Sequence, residues 1–203
     1  RNYFENVFYR GRKNSTRNRK RLRLLLSQKE YGRLLEIGCG QGYFLEQAAK
    51  HFEVAGVDLS QFAIDQAKST FKDRVKQADV QTMEIDRAAY DVLVAFNLLE
   101  HLDQPQPVIN KLYRALTKDG VLIGSVPNNF GLVGSVATFI NNQIDQTHCS
   151  TLRSKTWKNL FKQAGFSQIT FFGEIPLGRN HNIYLKNSFW PYLAFNLVFV
   201  CRK

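Results

Sequence analysis

Short apolar runs alternate with amphipathic stretches along this chain, and that alternation predicts a parallel sheet covered by helices on both faces. Arg17 to Gln28 carries Leu22, Leu25 and Leu26 at helical spacing and predicts a first helix. Arg33 to Gly38 reads as a buried strand broken by glycines. Gly42 to His51 is helical in pattern, with Phe44, Leu45, Ala48 and Ala49 on one side. Glu53 to Asp58 predicts a second strand, and Ser60 is placed to cap a helix bearing Phe62, Ala63, Ala67 and Phe71. A short third strand over Val75 to Ala78 ends at Asp79, and the apolar run Tyr90 to Phe96 suits the centre of a sheet. Asp103 and Pro105 predict the start of a helix through Leu116, terminated by Lys118-Asp119-Gly120. Val121 to Val126 is the fifth strand. Ser154 is placed to cap a helix containing Trp157, Leu160 and Phe161 and closed by Gly165. Gln168 to Phe172 and Tyr192 to Cys201 finish the pattern. No helix precedes the last strand, so it is expected to enter the sheet antiparallel within a hairpin.

Length and composition narrow this to one globular unit: 203 residues with 44% hydrophobic side chains fill one core but not two. No apolar run reaches the roughly 18 residues that a membrane span requires, and no secretory signal is read at the start. Three cysteines, Cys39, Cys149 and Cys201, have no paired spacing, so the expected setting is a reducing cytoplasm. The charge is lopsided. Residues 1–33 hold eleven Lys/Arg against Glu5 and Glu30, while the rest carries seventeen against fifteen acids. Two regions are therefore expected, a basic arm with its helix over 1–32 and a domain over 33–203. Within the arm Tyr3, Phe4, Phe8 and Tyr9 precede the cations of residues 10–23. That mixture suits RNA phosphates and bases, and it equally suits a solvated face or a cap folded over the site.

The candidate chemistry lies where the strands end. Gly38-Cys39-Gly40-Gln41-Gly42 follows the first strand, and glycines there let the backbone turn tightly and approach a ligand. Its G-x-G-x-G spacing differs from the G-x-G-x-x-G of dinucleotide sites and suits a nucleoside carrying an amino acid. Asp58, with Leu59 beside it, ends the second strand, where a carboxylate can accept both ribose hydroxyls. Asp79 and Val80 end the third, where a side chain and an amide can meet an adenine edge.

Leu35-Glu36-Ile37-Gly38-Cys39-Gly40-Gln41-Gly42-Tyr43-Phe44 resembles the first motif of the class I S-adenosylmethionine methyltransferases. Val54 to Ser60, Ala78-Asp79-Val80, Tyr90 to Leu102 and Leu112 to Leu122 resemble the next regions of that family, in order. The resemblance implies a Rossmann-like, doubly wound α/β fold of seven strands, order 3-2-1-4-5-7-6, with strand seven antiparallel. It also implies S-adenosyl-L-methionine as cofactor and S-adenosyl-L-homocysteine as product. Glu36, Gly38, Cys39, Gly40 and Gly42 would surround the methionine moiety, Cys39 mainly by filling space. Asp58 and Leu59 would hold the ribose side and Asp79 with Val80 the adenine, while Phe96 and Asn97 would line the methyl side.

Ligands bind at the carboxyl ends of the strands in such sheets, which makes Glu100 and His101 after strand four, and His148 in the irregular stretch after strand five, the candidate proton acceptors for a hydroxyl. Some relatives carry Glu-x-x-Glu-His here as metal ligands. Asn97 stands where the first Glu would be, so no metal is expected. The absence of Asn/Asp-Pro-Pro-Tyr and of Pro-Cys after strand four argues against exocyclic-amine and pyrimidine-ring chemistry. Residues 128–150 include Leu132, Val136, Phe139, Ile140 and Ile144 on one helical face, a pattern that suits a lid. The expected reaction is O-methylation of a small metabolite, sugar or lipid-linked acceptor. RNA methylation through the arm, and a non-catalytic cofactor-binding partner subunit, are the alternatives.

Overall fold

A computed structural model describes residues 16–128, 149–150, 152–176, 182–185 and 194–203. The expected lid helix, His148 and the aromatics of the arm fall outside those residues.

Eight strands form one sheet: β1 (Arg33–Ile37), β2 (Glu53–Asp58), β3 (Val75–Gln77), β4 (Tyr90–Phe96), β5 (Leu116–Pro127), β6 (Gln168–Pro176), β7 (Asn182–Leu185) and β8 (Asn196–Arg202). Their order is β3-β2-β1-β4-β5-β8-β6-β7. The first five pair in parallel, whereas β8 runs antiparallel between β5 and β6. The expected seven-strand order is therefore present, with β8 in the place of strand seven. One edge strand more than expected, β7, pairs antiparallel with β6. Both faces of β1 and β4 are buried, which is why their sequences read as continuous apolar runs.

Among the described residues five helices cover the sheet: α1 (Thr16–Leu26), α2 (Tyr43–Ala48), α3 (Gln61–Phe71), α4 (Pro105–Ala115) and α5 (Ser154–Ala164). On one face Leu25 of α1, Phe44 and Leu45 of α2, and Ile64, Ala67 and Phe71 of α3 meet Leu34, Val54, Val92, Val94 and Ile123. On the other, Ile109 and Leu112 of α4 with Trp157 and Phe161 of α5 meet Leu35, Leu93, Leu122 and Phe199. Full burial of a Leu or Phe at such positions contributes about 1.5–3 kcal/mol.

Several expected boundaries move for identifiable reasons. Ser60 does cap α3, its hydroxyl accepting the Ala63 amide at 3.2 Å. Ser154 does not cap α5. It is the first helical residue, and Arg153 holds the cap position without a side-chain bond. Gln104, not Asp103, precedes α4. Lys118-Asp119-Gly120 lies within β5 rather than ending a helix, because Leu116 already pairs with Tyr90 before the register shifts and Val121 meets Val92. The last strand begins at Asn196, four positions after the expected Tyr192.

α1 is tied to the far edge of the sheet by charge. Arg17 grips Glu174 of β6 through two bonds, Nε to Oε1 at 3.0 Å and Nη2 to Oε2 at 2.7 Å, and Asn196 Nδ2 adds a third at 2.9 Å. Burial pushes the Glu174 carboxyl up, but Arg17, Arg21 and Asn196 outweigh it and bring it down to about 2. A carboxyl held below its usual 4.5 contributes stability that is present above 4.5 and is lost as pH falls towards 2. Glu174→Gln is accordingly expected to destabilise by about 2–3 kcal/mol at pH 7. In urea titrations the gap to the unaltered protein should close on acidification between those two pH values; a gap that stays constant with pH would refute the electrostatic account.

Candidate functional site

The glycine loop is shaped by backbone geometry. Gly38, Gly40 and Gly42 all have left-handed φ, at 75°, 52° and 79°. At Gly42 a side chain is excluded twice over, since an added Cβ would also lie 2.7 Å from the Phe71 ring of α3. The loop is stitched to β2: the Gly38 and Cys39 amides donate to the Val57 carbonyl at 2.8 and 3.0 Å. Cys39 is buried and its thiol is pushed up by burial and then by the Glu36 charge, so it fills space rather than reacts.

Asp58 closes this corner. Its Oδ2 accepts the Gly40 amide at 2.7 Å and its Oδ1 the Ser60 amide at 2.9 Å. Burial raises its pKa and the amides oppose that rise. The amides that oppose it are those of Ser60, Gly40 and Leu59, three donors on a carboxylate with about four acceptor positions. Beside it Leu59 is 68% exposed, a large apolar side chain standing at the mouth. One strand further out, the Asp79 carboxylate accepts the Gln81 amide at 2.8 Å, while Val80 is buried in the core. Glu36, Gly40, Asp58 and Asp79 therefore converge at the carboxyl ends of β1 to β3.

Glu36 is 5% exposed, and its Oε2 has no hydrogen-bond partner among the described residues. Burial drives its carboxyl well above the usual range; Arg21 pulls the other way and Asp58 adds to the rise. Arg21 was not singled out from sequence, yet it is the cation of this site. It is 8% exposed, stacks 4.0 Å above the Phe96 ring centroid, and donates through Nη2 to Asn97 Oδ1 at 3.1 Å and Ser125 Oγ at 3.2 Å. Its Nε has no partner among the described residues. Burial, then the neighbouring Arg17 charge, lowers its pKa to about 10, so it stays charged at neutral pH. The available signal was spacing: Arg17, Arg21 and Leu25 recur every four residues, so both arginines lie in line with a buried leucine.

Asn97 stands beside the Arg21 guanidinium. Its φ of 53° is left-handed, a conformation Asn tolerates better than most residues. Its side-chain oxygen turns back to Arg21 and to Ser125 Oγ, the latter at 2.7 Å. Phe96 is a wall, packed edge-on against Phe44 with ring centroids 5.2 Å apart. Glu100 is 1% exposed in the 3-10 turn Leu99–His101, whose Glu100 carbonyl accepts the Ser150 amide at 2.8 Å; His101 on the same turn is half-buried. Among the described residues no group of three or more His, Cys, Asp or Glu side chains is placed to hold a metal ion.

Comparison with known proteins agrees with this geometry. A family model described as a methyltransferase domain matches residues 5–170. A malonyl-[acyl-carrier protein] O-methyltransferase of Bacillus cereus is 28% identical over 142 residues, which is 67% of this chain and 48% of that protein. A ubiquinone biosynthesis O-methyltransferase of Coxiella burnetii is 33% identical over 101 residues, 47% of this chain and 43% of that one. The chain thus spans about half the length of the curated relatives it matches. A methyltransferase structure from Archaeoglobus fulgidus, described as dependent on S-adenosylmethionine, shares the fold with a TM-score of 0.77 at 20% identity over 99% of both chains. Most of the chain matches one family model and the sheet has that family's strand order, so the chain belongs to the class I methyltransferase domain family, whose cofactor is S-adenosylmethionine.

Proposed function

We propose that this chain transfers a methyl group from S-adenosylmethionine to a hydroxyl of a small metabolite, sugar or lipid-linked acceptor. The observation that carries the cofactor half is the buried pair of orphaned groups, Glu36 Oε2 and Arg21 Nε, beside the glycine loop. An amino acid brings an ammonium and a carboxylate, and such a pair can satisfy one each. Asp58 is ready for a ribose diol, with Leu59 as an apolar flank, and Asp79 with Val80 for the adenine edge. When bound, the cofactor supplies a methyl group activated by an adjacent sulfonium. Phe96, Arg21 and Asn97 close the floor of that region and keep water away from it.

The acceptor half rests on lesser support. The two curated relatives are named as O-methyltransferases, and they match this chain over 142 and 101 residues. His101, half-buried after β4, and His148 are the proposed proton acceptors, with Glu100 as a buried carboxylate on the same turn as His101. An RNA acceptor is less well supported, because two arm cations that it needs, Arg17 and Arg21, bond inward rather than outward.

Incubation with methyl-labelled S-adenosylmethionine and a cell extract, followed by separation of lipid, small-molecule, protein and RNA fractions, tests the reading. Label is expected in the lipid or small-molecule fraction. Asp58→Ala should reduce it by roughly one to two orders of magnitude, as loss of charge-assisted hydrogen bonds implies. Label confined to RNA overturns the acceptor; absence of transfer to every fraction overturns catalysis.

A pH dependence follows from Glu36. Its carboxyl is protonated well above 4.5 while buried without a cation at Oε2, and a bound ammonium favours the charged form. Cofactor binding should release a proton, so affinity should rise with pH from 4.5 up to the raised value and level off above it. Calorimetry in buffers of differing ionisation enthalpy measures the release directly. Glu36→Gln should abolish it, and an unchanged proton count in that variant would place the titration elsewhere.

A further inference from the structure

The turn after β3 is gripped by one lysine from the opposite layer. Lys111, on α4, donates its ammonium to three main-chain carbonyls: Val80 at 2.9 Å, Gln81 at 3.1 Å and Met83 at 2.6 Å. An ammonium has three N–H donors and no acceptor, so the set occupies it completely. The same residues form one tight turn. The Thr82 and Met83 amides donate to the Asp79 carbonyl at 3.1 and 2.8 Å, and the Gln81 amide donates to the Asp79 carboxylate. Such a turn ends like the last turn of a helix, with carbonyls that lack main-chain donors, and a cation there satisfies them and opposes their dipoles. Beneath it Val80 is anchored in the core. Val108, Ile109, Leu112 and Ala115 bury α4 on their own, so helix packing does not call for a lysine at 111. Ordering that side chain costs rotamer freedom, which the three charged bonds offset.

We propose that Lys111 is a positioning residue for cofactor binding, holding residues 79–83 in the shape that reads the adenine edge. It acts through the turn and touches no ligand itself. The proposal rests on the reading of Asp79 and Val80 as the adenine contacts.

Binding of S-adenosylhomocysteine and of S-inosylhomocysteine, in which an oxygen replaces the adenine amino group, tests it without knowledge of the acceptor. The unaltered protein should prefer the adenine compound. Lys111→Met should weaken that compound roughly ten-fold, as loss of a charged hydrogen-bond set implies, and bring the ratio of the two Kd values towards one. Lys111→Arg, which keeps charge and donors, should restore the preference, and Lys111→Gln gives the same readout if the Met variant does not fold. A purely structural lysine would lower the thermal midpoint and leave the ratio intact. If Lys111→Met keeps the ratio while Asp79→Ala abolishes it, the proposal is wrong and the adenine reading stands. If Asp79→Ala leaves the ratio unchanged, the adenine reading fails and takes the proposal with it.

Discussion

The Asp58 carboxylate, buried between the Gly40 and Ser60 amides, is the constraint on which the cofactor end of this protein depends. It joins three pieces that sequence separates: the loop after β1, the end of β2 and the start of α3. Gly40 can present its amide only because the loop runs through left-handed φ at Gly38, Gly40 and Gly42. α3 in turn returns the support, since Phe71 fills the space against Gly42. Desolvating a carboxylate to this degree is costly unless donors compensate, and backbone amides of Gly40, Leu59 and Ser60 do so. The same bonds therefore stabilise the fold and would hold the proposed site in shape.

Charge in the first helix works the opposite way from what a basic arm suggests. Arg17 and Arg21 are withdrawn from solvent, one to a buried glutamate of β6 and the other to the end of β4 and β5. A guanidinium suits this use because it stays charged when desolvated and its planar fork meets a carboxylate bidentately or lies flat on a ring. Arg21 over Phe96 gains a cation–π contact of about 2 kcal/mol in a desolvated setting, against a desolvation cost of several. The remainder is met by Asn97 and Ser125, which take Nη2.

Much of the fold was legible because periodicity reports burial directly. Leu34 and Leu35 alternate between the two faces, and Phe44, Leu45 and Ala48 mark a helix in six residues. Asp58 was legible because a carboxylate ending a strand beside a glycine loop has few structural uses. What sequence concealed depended on long-range partners. Arg21 looks like one cation in a run until Ser125, 104 positions later, is folded against it. Glu174 looks like a polar residue on an edge strand until Arg17 reaches it across 157 positions. The segment Lys118-Asp119-Gly120 looks like a helix stop because its residues are turn formers, and only the Tyr90–Leu116 pairing shows it to be a bulge in a strand.

The sheet divides its labour at β4. On the β1 to β3 side, contacts come from loop backbone and carboxylates, which suits a ligand rich in hydroxyl and amine donors. On the β5 to β7 side the buried groups are an ionised glutamate, two arginines and Tyr184, whose hydroxyl burial and then the Glu174 charge push up to about 12. Asn97 sits on the boundary with a left-handed backbone that costs about 1–2 kcal/mol. That conformation turns its side chain towards Arg21 and Ser125 instead of onward along β4. Strain at this point is therefore offset by the bonds that hold Arg21, and Arg21 is held where the two halves meet. A donor-rich cofactor on one side and an acceptor on the other would be brought together over this junction, so its rigidity matters more to alignment than any single contact to either partner.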